Sequence, residues 1–197
     1  EPGQVPSELV VVGSGVTGAE FASAYLALGI PVTLVSSRDR VLPGEDAEVA
    51  FDFGSGRLAL AGAADAPGTR RAAVAVLTSS GALDTGFSGD GRTTSLVEGS
   101  DQSALSGVVF DGLGRLVATG LAYDGVSGPA DFAIVRLAPN GALDSDFGFN
   151  GSVTVPFDLP GSTFADHATA IALLSGRPVV GGQVRHSDDR FRPALVR

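Results

Sequence analysis

The sequence predicts an α+β chain in two unlike parts, a short strand–helix–strand unit over residues 1–47 followed by antiparallel β repeats over 48–197. Three observations predict it. An apolar run, Leu9–Val12, leads straight into Gly13-Ser14-Gly15-Val16-Thr17-Gly18 and then a segment of helical periodicity. The composition changes near residue 48. Beyond that point a glycine-punctuated pattern returns with a period of about 60 residues.

Leu9-Val10-Val11-Val12 is continuously apolar, as a parallel strand buried on both faces requires. Gly13 permits the tight turn out of that strand, Gly15 lets backbone approach a pyrophosphate without a Cβ in the way, and Gly18 lets the next helix pack close. Val16, Phe21, Ala24, Tyr25 and Leu28 recur at helical spacing, with Glu20 and Ser23 facing outward and Gly29 placed as the C-terminal cap. Ile30–Val35 then reads as a second parallel strand, which completes a Rossmann-type βαβ unit. Its expected ligand is a dinucleotide. Free N–H groups over Gly13, Ser14, Gly15, Val16, Thr17 and Gly18, together with the helix dipole, would face the diphosphate. The second strand ends on Ser36-Ser37-Arg38 with no carboxylate for a ribose 2′-hydroxyl. Hydroxyls beside an arginine suit a 2′-phosphate, which favours NADP(H) over NAD(H).

Val10 to Phe21, and later Arg40-Val41-Leu42-Pro43-Gly44-Glu45-Asp46, resemble the NAD(P)-binding domain of the flavoprotein pyridine-nucleotide disulfide oxidoreductases, the dihydrolipoamide dehydrogenase, glutathione reductase and quinone reductase group. The resemblance covers residues 1–47. It implies that Glu20, in Gly18-Ala19-Glu20, contacts the nicotinamide, and that FAD is the family's second cofactor. The chain departs from the family in carrying one glycine fingerprint, no Cys for a redox disulfide, and neither the remainder of the NAD(P) domain nor the dimerisation domain with its His–Glu pair. Hydride transfer needs a second redox partner held in range, so complete catalysis by this chain alone is not expected.

In the second part, Gly56-Arg57-Leu58 returns as Gly114-Arg115-Leu116 and, with proline third, as Gly176-Arg177-Pro178. Ser80-Gly81-Ala82-Leu83-Asp84 returns as Asn140-Gly141-Ala142-Leu143-Asp144, and Val49-Ala50-Phe51-Asp52 matches Val108-Val109-Phe110-Asp111. The fullest copy predicts four strands, near Ser106–Phe110, Leu116–Leu121, Phe132–Leu137 and Ser152–Phe157. Asn140-Gly141 reads as a hairpin turn with both residues at positive φ, and Phe87 and Phe147 as plugs between units.

These motifs resemble the bacterial delta-sixty repeat, G-R-L followed by S/N-G-x-L-D-x-x-F, over residues 48–197. The resemblance implies propeller-like blades, of the kind found in arrays in surface or exported proteins. By motif count there is one complete unit and two partial ones. Closed propellers use 4 to 8 blades, so open edges and self-association are expected.

The 13 arginines, with no lysine, stand against 22 acidic residues, for a net charge of −9; nucleic acid is not an expected partner. Zero Cys excludes disulfides, thiolate metal sites and thiol redox chemistry. No apolar run reaches the length of a membrane span and no signal peptide opens the sequence, so a soluble chain is expected; the lack of Met marks it as processed, excised or incomplete. His167 and His186 lie in no metal-ligand spacing, and Asp144–Asn150, with oxygens at alternate positions, lacks the closing Glu of a calcium loop. Three readings of function stay open: dinucleotide binding by a partial oxidoreductase unit, a non-enzymatic β-repeat structural or interaction module, and a fusion of two unrelated fragments without activity. The first resemblance implies a cytoplasmic setting, the second an exported or surface one.

Overall fold

The described residues form thirteen strands, most of them rich in Val, Ala and Leu, with almost no helix. The computed structural model describes residues 6–12, 22, 24–26, 28–35, 48–52, 54–66, 69–95, 97, 99–123, 129–157, 166–186, 188 and 190–197. The chain divides into two units, Glu1–Ala47 and Glu48–Arg197.

In the first unit β1 (Leu9–Val12) and β2 (Val32–Val35) pair in parallel, in register from Leu9↔Val32 to Val12↔Val35. Between them, residues 22 and 24–26 are helical. That helix ends in a Schellman arrangement, in which the Gly29 N–H donates to Leu26 carbonyl oxygen at 2.9 Å and the Ile30 N–H to Tyr25 carbonyl oxygen at 3.1 Å. Gly29 takes φ +79°, the left-handed conformation that glycine adopts without strain. The expected apolar face is partly corrected. Ala22 and Ile30 are buried, whereas Ala24 is exposed and Leu28 is 69% exposed, because Leu28 already lies in the turn that Gly29 completes.

The second unit is built from three antiparallel sheets, each a meander. The first sheet holds β3 (Glu48–Phe51), β4 (Leu58–Ala66), β5 (Thr69–Leu77) and β6 (Arg92–Ser95). The second holds β7 (Gln102–Phe110), β8 (Leu116–Tyr123), β9 (Ala130–Leu137) and β10 (Ser152–Val155). The third holds β11 (His167–Leu174), β12 (Arg177–Arg185) and β13 (Phe191–Val196). Counted by strands, the first sheet is as full as the second, which differs from the motif count of one complete unit; the short strand Glu48–Phe51 supplies its first edge.

The sheets stack face to face. Ala59, Ala61, Val74 and Val76 of the first share one apolar core with Leu105, Leu116, Ala118 and Val135 of the second. The opposite face of the second, with Val117, Phe132 and Ile134, meets Ala168, Val180 and Val184 of the third. Strand alternation therefore places Leu116 and Ala118 on one side and Val117 on the other, so the middle sheet is buried on both faces.

The repeated glycines hold positions that L side chains avoid. Gly56, Gly114 and Gly176 take φ of +72°, +73° and +74° in the successive hairpin turns. Ser175-Gly176 forms a two-residue hairpin with both residues at positive φ, as a type I′ turn needs. At Asn140-Gly141 the expected turn is corrected. Only Gly141 has positive φ, its N–H donates to Ala138 carbonyl oxygen at 2.9 Å, and the Asn140 side chain accepts instead from the Ala142 N–H at 3.1 Å. The turn is the longer kind, in which a single left-handed glycine closes a type I bend.

Candidate functional site

The residues after the parallel strand pair are the ligand-suited ones read from the sequence, and among the described residues arginine and aspartate side chains gather in the turns of the β repeats.

At the first, Val12 and Val35 are cross-strand partners and both are the last residues of their strands, so the two strands end level with each other. In open parallel sheets this C-terminal edge is where ligands sit. The sequence-predicted binding residues Gly13, Ser14, Gly15, Val16, Thr17, Gly18, Glu20, Ser36, Ser37 and Arg38 lie outside the described residues. What the structure gives is the framework from which they follow in sequence: the paired strands, helical residues between them, and the glycine-capped helix end.

The second place is a repeated Asp–Arg–Asp network. In the second sheet Asp111 caps the β7–β8 turn: its Oδ1 accepts from the N–H groups of Leu113 and Arg115, both at 2.9 Å, and its Oδ2 from Arg115 Nε at 2.7 Å. Arg115 Nη1 reaches Asp144 Oδ2 at 3.4 Å, and Arg136 Nε donates to the same oxygen at 2.8 Å. Asp144 comes into range because its turn bends back on β9, with Leu143 bridging to Leu137 and the Asp144 N–H donating to Arg136 carbonyl oxygen at 2.9 Å. Arg136 also lies over the Phe147 ring, 4.8 Å from its centroid.

The first sheet repeats the network more loosely. Arg57 lies 3.7 Å from Asp52 and 3.8 Å from Asp84. The Ser55 hydroxyl donates to Asp52 Oδ2 at 2.5 Å, and Arg57 Nη2 also donates to Gly114 carbonyl oxygen in the neighbouring turn at 3.4 Å. In the third sheet the hairpin turns through Ser175-Gly176 without an aspartate.

These contacts set the charge states. Burial raises the Asp111 carboxyl, but hydrogen bonds from the Arg115 side chain and from the Arg115 and Leu113 N–H groups outweigh it and leave it below the ordinary value. Asp144 is likewise raised by burial and brought below the ordinary value by the Asp146 N–H, Arg136 and Arg115. Asp52 is lowered, above all by the Ser55 hydroxyl. The carboxylates are held ionised against arginine, an arrangement that fastens turns to sheets. The oxygens of Asp144, which head the calcium-like run Asp144–Asn150, are occupied by Arg136, Arg115 and the Asp146 N–H, so they serve turn chemistry.

Elsewhere, His186 Nδ1 lies 3.2 Å from Asp188 in the β12–β13 turn, and His167 is exposed at the start of β11. A shallow depression lined by Phe149, Ser152, Val153 and Thr154 offers two hydroxyls and no ionisable group. Among the described residues, no group of three or more His, Cys, Asp or Glu side chains converges as a metal site would, and no helix is long and apolar enough to cross a membrane. Of the two plug residues, Phe87 is buried between the first and second sheets, and Phe147 packs partly buried at the core between the second and third.

Residues 8–51 match the family of pyridine nucleotide-disulphide oxidoreductases, and residues 114–147 match a domain of unknown function (DUF5122) described as a beta-propeller. The chain is 64% identical over 47 residues to an NAD(P)H dehydrogenase (quinone) of Mycobacterium tuberculosis, a stretch that is 24% of this chain and 10% of that protein. It is 45% identical over 50 residues to the dihydrolipoyl dehydrogenase of Bacillus subtilis, covering 25% of this chain and 11% of that one. Against the soluble pyridine nucleotide transhydrogenase of Mycobacterium bovis the identity is 53% over 45 residues, 23% of this chain and 10% of that protein. The chain spans about a tenth of the length of the curated relatives it matches. Both resemblances read from the sequence are thus found: an oxidoreductase-type segment at one end, and a beta-propeller match within mostly antiparallel β structure.

Proposed function

We propose that residues 1–47 are a Rossmann-type βαβ unit that binds NAD(P)H, joined to a delta-sixty-type β scaffold over 48–197. The observation that carries this reading is the parallel pair β1–β2, whose strands end together at Val12 and Val35 directly before Gly13 and Ser36 in sequence. The family match over residues 8–51 supports it. In this reading the N–H groups of residues 13–18 hold the diphosphate and Glu20 contacts the nicotinamide. Ser36, Ser37 and Arg38 take a 2′-phosphate, which makes NADP(H) the preferred form. Members of the matched family use FAD as well. This sequence holds one glycine fingerprint, and the described residues contain one parallel strand pair, so no flavin-dependent step is assigned to it. The chain binds dinucleotide without turning it over, and its open sheets self-associate.

Calorimetric titration with NADPH and NADH tests this. Heat of binding with NADPH favoured is the expected result; no heat at millimolar ligand overturns it.

A second reading, a non-enzymatic β module, is favoured by the repeat motifs themselves. Their charged residues Arg57, Asp84, Arg115 and Asp144 engage one another or neighbouring turns, as residues that hold a scaffold together do.

A further inference from the structure

Two Asn-Gly pairs, Asn140-Gly141 and Asn150-Gly151, lie in turns of the second sheet, and both asparagines are exposed. An asparagine side chain is open to attack by the backbone nitrogen that follows it, most readily when that residue is glycine and no Cβ stands in the way. The fold treats the two pairs differently.

Asn140 is tied down. Its Oδ1 accepts from the Ala142 N–H at 3.1 Å, and its carbonyl oxygen accepts from the Ser88 N–H of the first sheet at 2.8 Å. The Gly141 N–H donates to Ala138 carbonyl oxygen at 2.9 Å. A Cβ on Gly141 would lie 2.9 Å from Ser88 N and 3.3 Å from the Phe87 ring, so this turn is packed against the neighbouring sheet. For Asn140 Cγ to meet the Gly141 nitrogen, contacts within the turn and between the sheets must break together.

Asn150-Gly151 forms a two-residue hairpin, with φ of +48° and +91°, the type I′ conformation expected from the sequence at Asn140-Gly141. Phe149 and Ser152 close it through N–H to carbonyl bonds of 2.9 and 3.1 Å, an isolated bridge outside the named strands. Among the described residues no hydrogen bond reaches the Asn150 side chain or its carbonyl oxygen. The Gly151 N–H is restrained by one bond, to Phe147 carbonyl oxygen at 2.9 Å. The Gly151 carbonyl oxygen accepts from the Arg136 N–H at 2.8 Å, which anchors β10 beside β9 while the turn opens. Phe149 is 67% exposed and adds little packing. Opening so few contacts costs far less than unfolding the sheet.

We propose that Asn150-Gly151 is a self-modification site in the folded chain, and that Asn140-Gly141 is protected. The Gly151 nitrogen, giving its proton to hydroxide, attacks Asn150 Cγ. A C–N bond forms and the side-chain nitrogen leaves as ammonia. Water then opens the cyclic imide, leaving aspartate or isoaspartate and one negative charge more than the chain's −9. The aspartate product matches the first sheet, where Asp90 precedes Gly91 in the equivalent loop and accepts from the Arg92 N–H at 2.9 Å. The isoaspartate product adds a carbon to the main chain inside a two-residue turn and disrupts the Phe149–Ser152 pairing. The inference does not depend on dinucleotide binding.

Incubating the full chain at mildly alkaline pH, with peptide mapping by mass spectrometry, tests it. Conversion at Asn150 should run about tenfold or more faster than at Asn140, because the two turns differ in the cost of opening. It should rise with pH and produce an acidic form on isoelectric focusing. In denaturing urea the two rates should become alike. Asn150→Gly, which takes positive φ without strain, should not develop the acidic form. Equal conversion at the two sites in the folded chain, faster conversion at Asn140, or none at either would each overturn the proposal. So would a preference for Asn150 that persists in urea, or an acidic form that develops undiminished in Asn150→Gly.

Discussion

Arg57 of the first sheet lies over the ring of Phe110 in the second, its guanidinium carbon 5.3 Å from the ring centroid. The same side chain donates to Gly114 carbonyl oxygen at 3.4 Å, so one residue touches two parts of the neighbouring repeat while facing Asp52 and Asp84 of its own. Each single contact is modest. Together they fasten one sheet to the next at the rim of the apolar core that Phe110 borders.

Arg57→Ala should therefore lower the stability of the second unit by about 1–2 kcal/mol, from the lost cation–π contact, the lost hydrogen bond and the lost packing of the side-chain stem. Arg57→Lys should recover only part of it, because an ammonium keeps the charge but not the planar stack and fork of donors. Urea unfolding of the three proteins checks this; equal stability of the lysine and arginine forms would remove the ring contact from the account.

The lowered carboxyl groups of Asp52, Asp111 and Asp144 fix a pH dependence. A group whose folded value lies below its unfolded one stabilises fully above the unfolded value, here 3.8, and loses that contribution as pH falls through the folded value. Stability should thus be flat on this account from pH 7 to about 5 and fall steeply below about pH 4. Asp111→Asn should be about 1–2 kcal/mol less stable at pH 7 and show a shallower acid limb. Denaturant midpoints across that pH range measure both; an unchanged acid limb in the variant would show that Asp111 does not drive it.

Much of this architecture was legible because its determinants are local. β1 has the bounds read from its four apolar residues, and the glycines of the Gly-Arg motif recur because each turn needs a left-handed residue. β7 begins at Gln102 rather than near Ser106, since a bulge between Leu105 and Gly107 breaks the alternation that marks a strand. The Asp–Arg–Asp network was visible as recurring letters but not as a contact. Asp144 meets Arg115 only after the Leu143 turn bends back onto β9, and that is a tertiary event with no sequence period. The dinucleotide fingerprint is the reverse case: its signal lies in the sequence, and its residues lie outside those the structure describes.

If Arg38 meets a 2′-phosphate, its charge matters for only one of the two nucleotides. Arg38→Glu should weaken NADPH binding about tenfold or more, by replacing attraction with repulsion, and leave NADH nearly unchanged. Parallel calorimetric titrations check this. Equal losses for both nucleotides would assign Arg38 to the fold or to the shared diphosphate instead.

Three glycines at equivalent places give the sharpest contrast. Gly62, Gly120 and Gly182 occupy the same position in β4, β8 and β12, but among the described residues only the latter two face a bulged neighbour, β7 shifting register between Leu105 and Gly107 and β11 between Ala168 and Ala170. A Cβ on Gly120 would lie 2.7 Å from Leu105 Cα and run into Ala104 carbonyl oxygen. On Gly182 it would lie 2.6 Å from the Phe132 ring and 2.7 Å from Ala168 Cα. On Gly62 it would meet nothing within 4 Å. Backbone cannot give way as a flexible side chain can, so Gly120→Ala and Gly182→Ala should each destabilise by about 2 kcal/mol or more. Gly62→Ala should be neutral, or stabilising by about 0.5 kcal/mol, because alanine has less freedom to lose on folding. Thermal unfolding of the three variants decides it. A loss at Gly62 as large as at Gly120 would mean that the bulged strands are not what makes this position glycine.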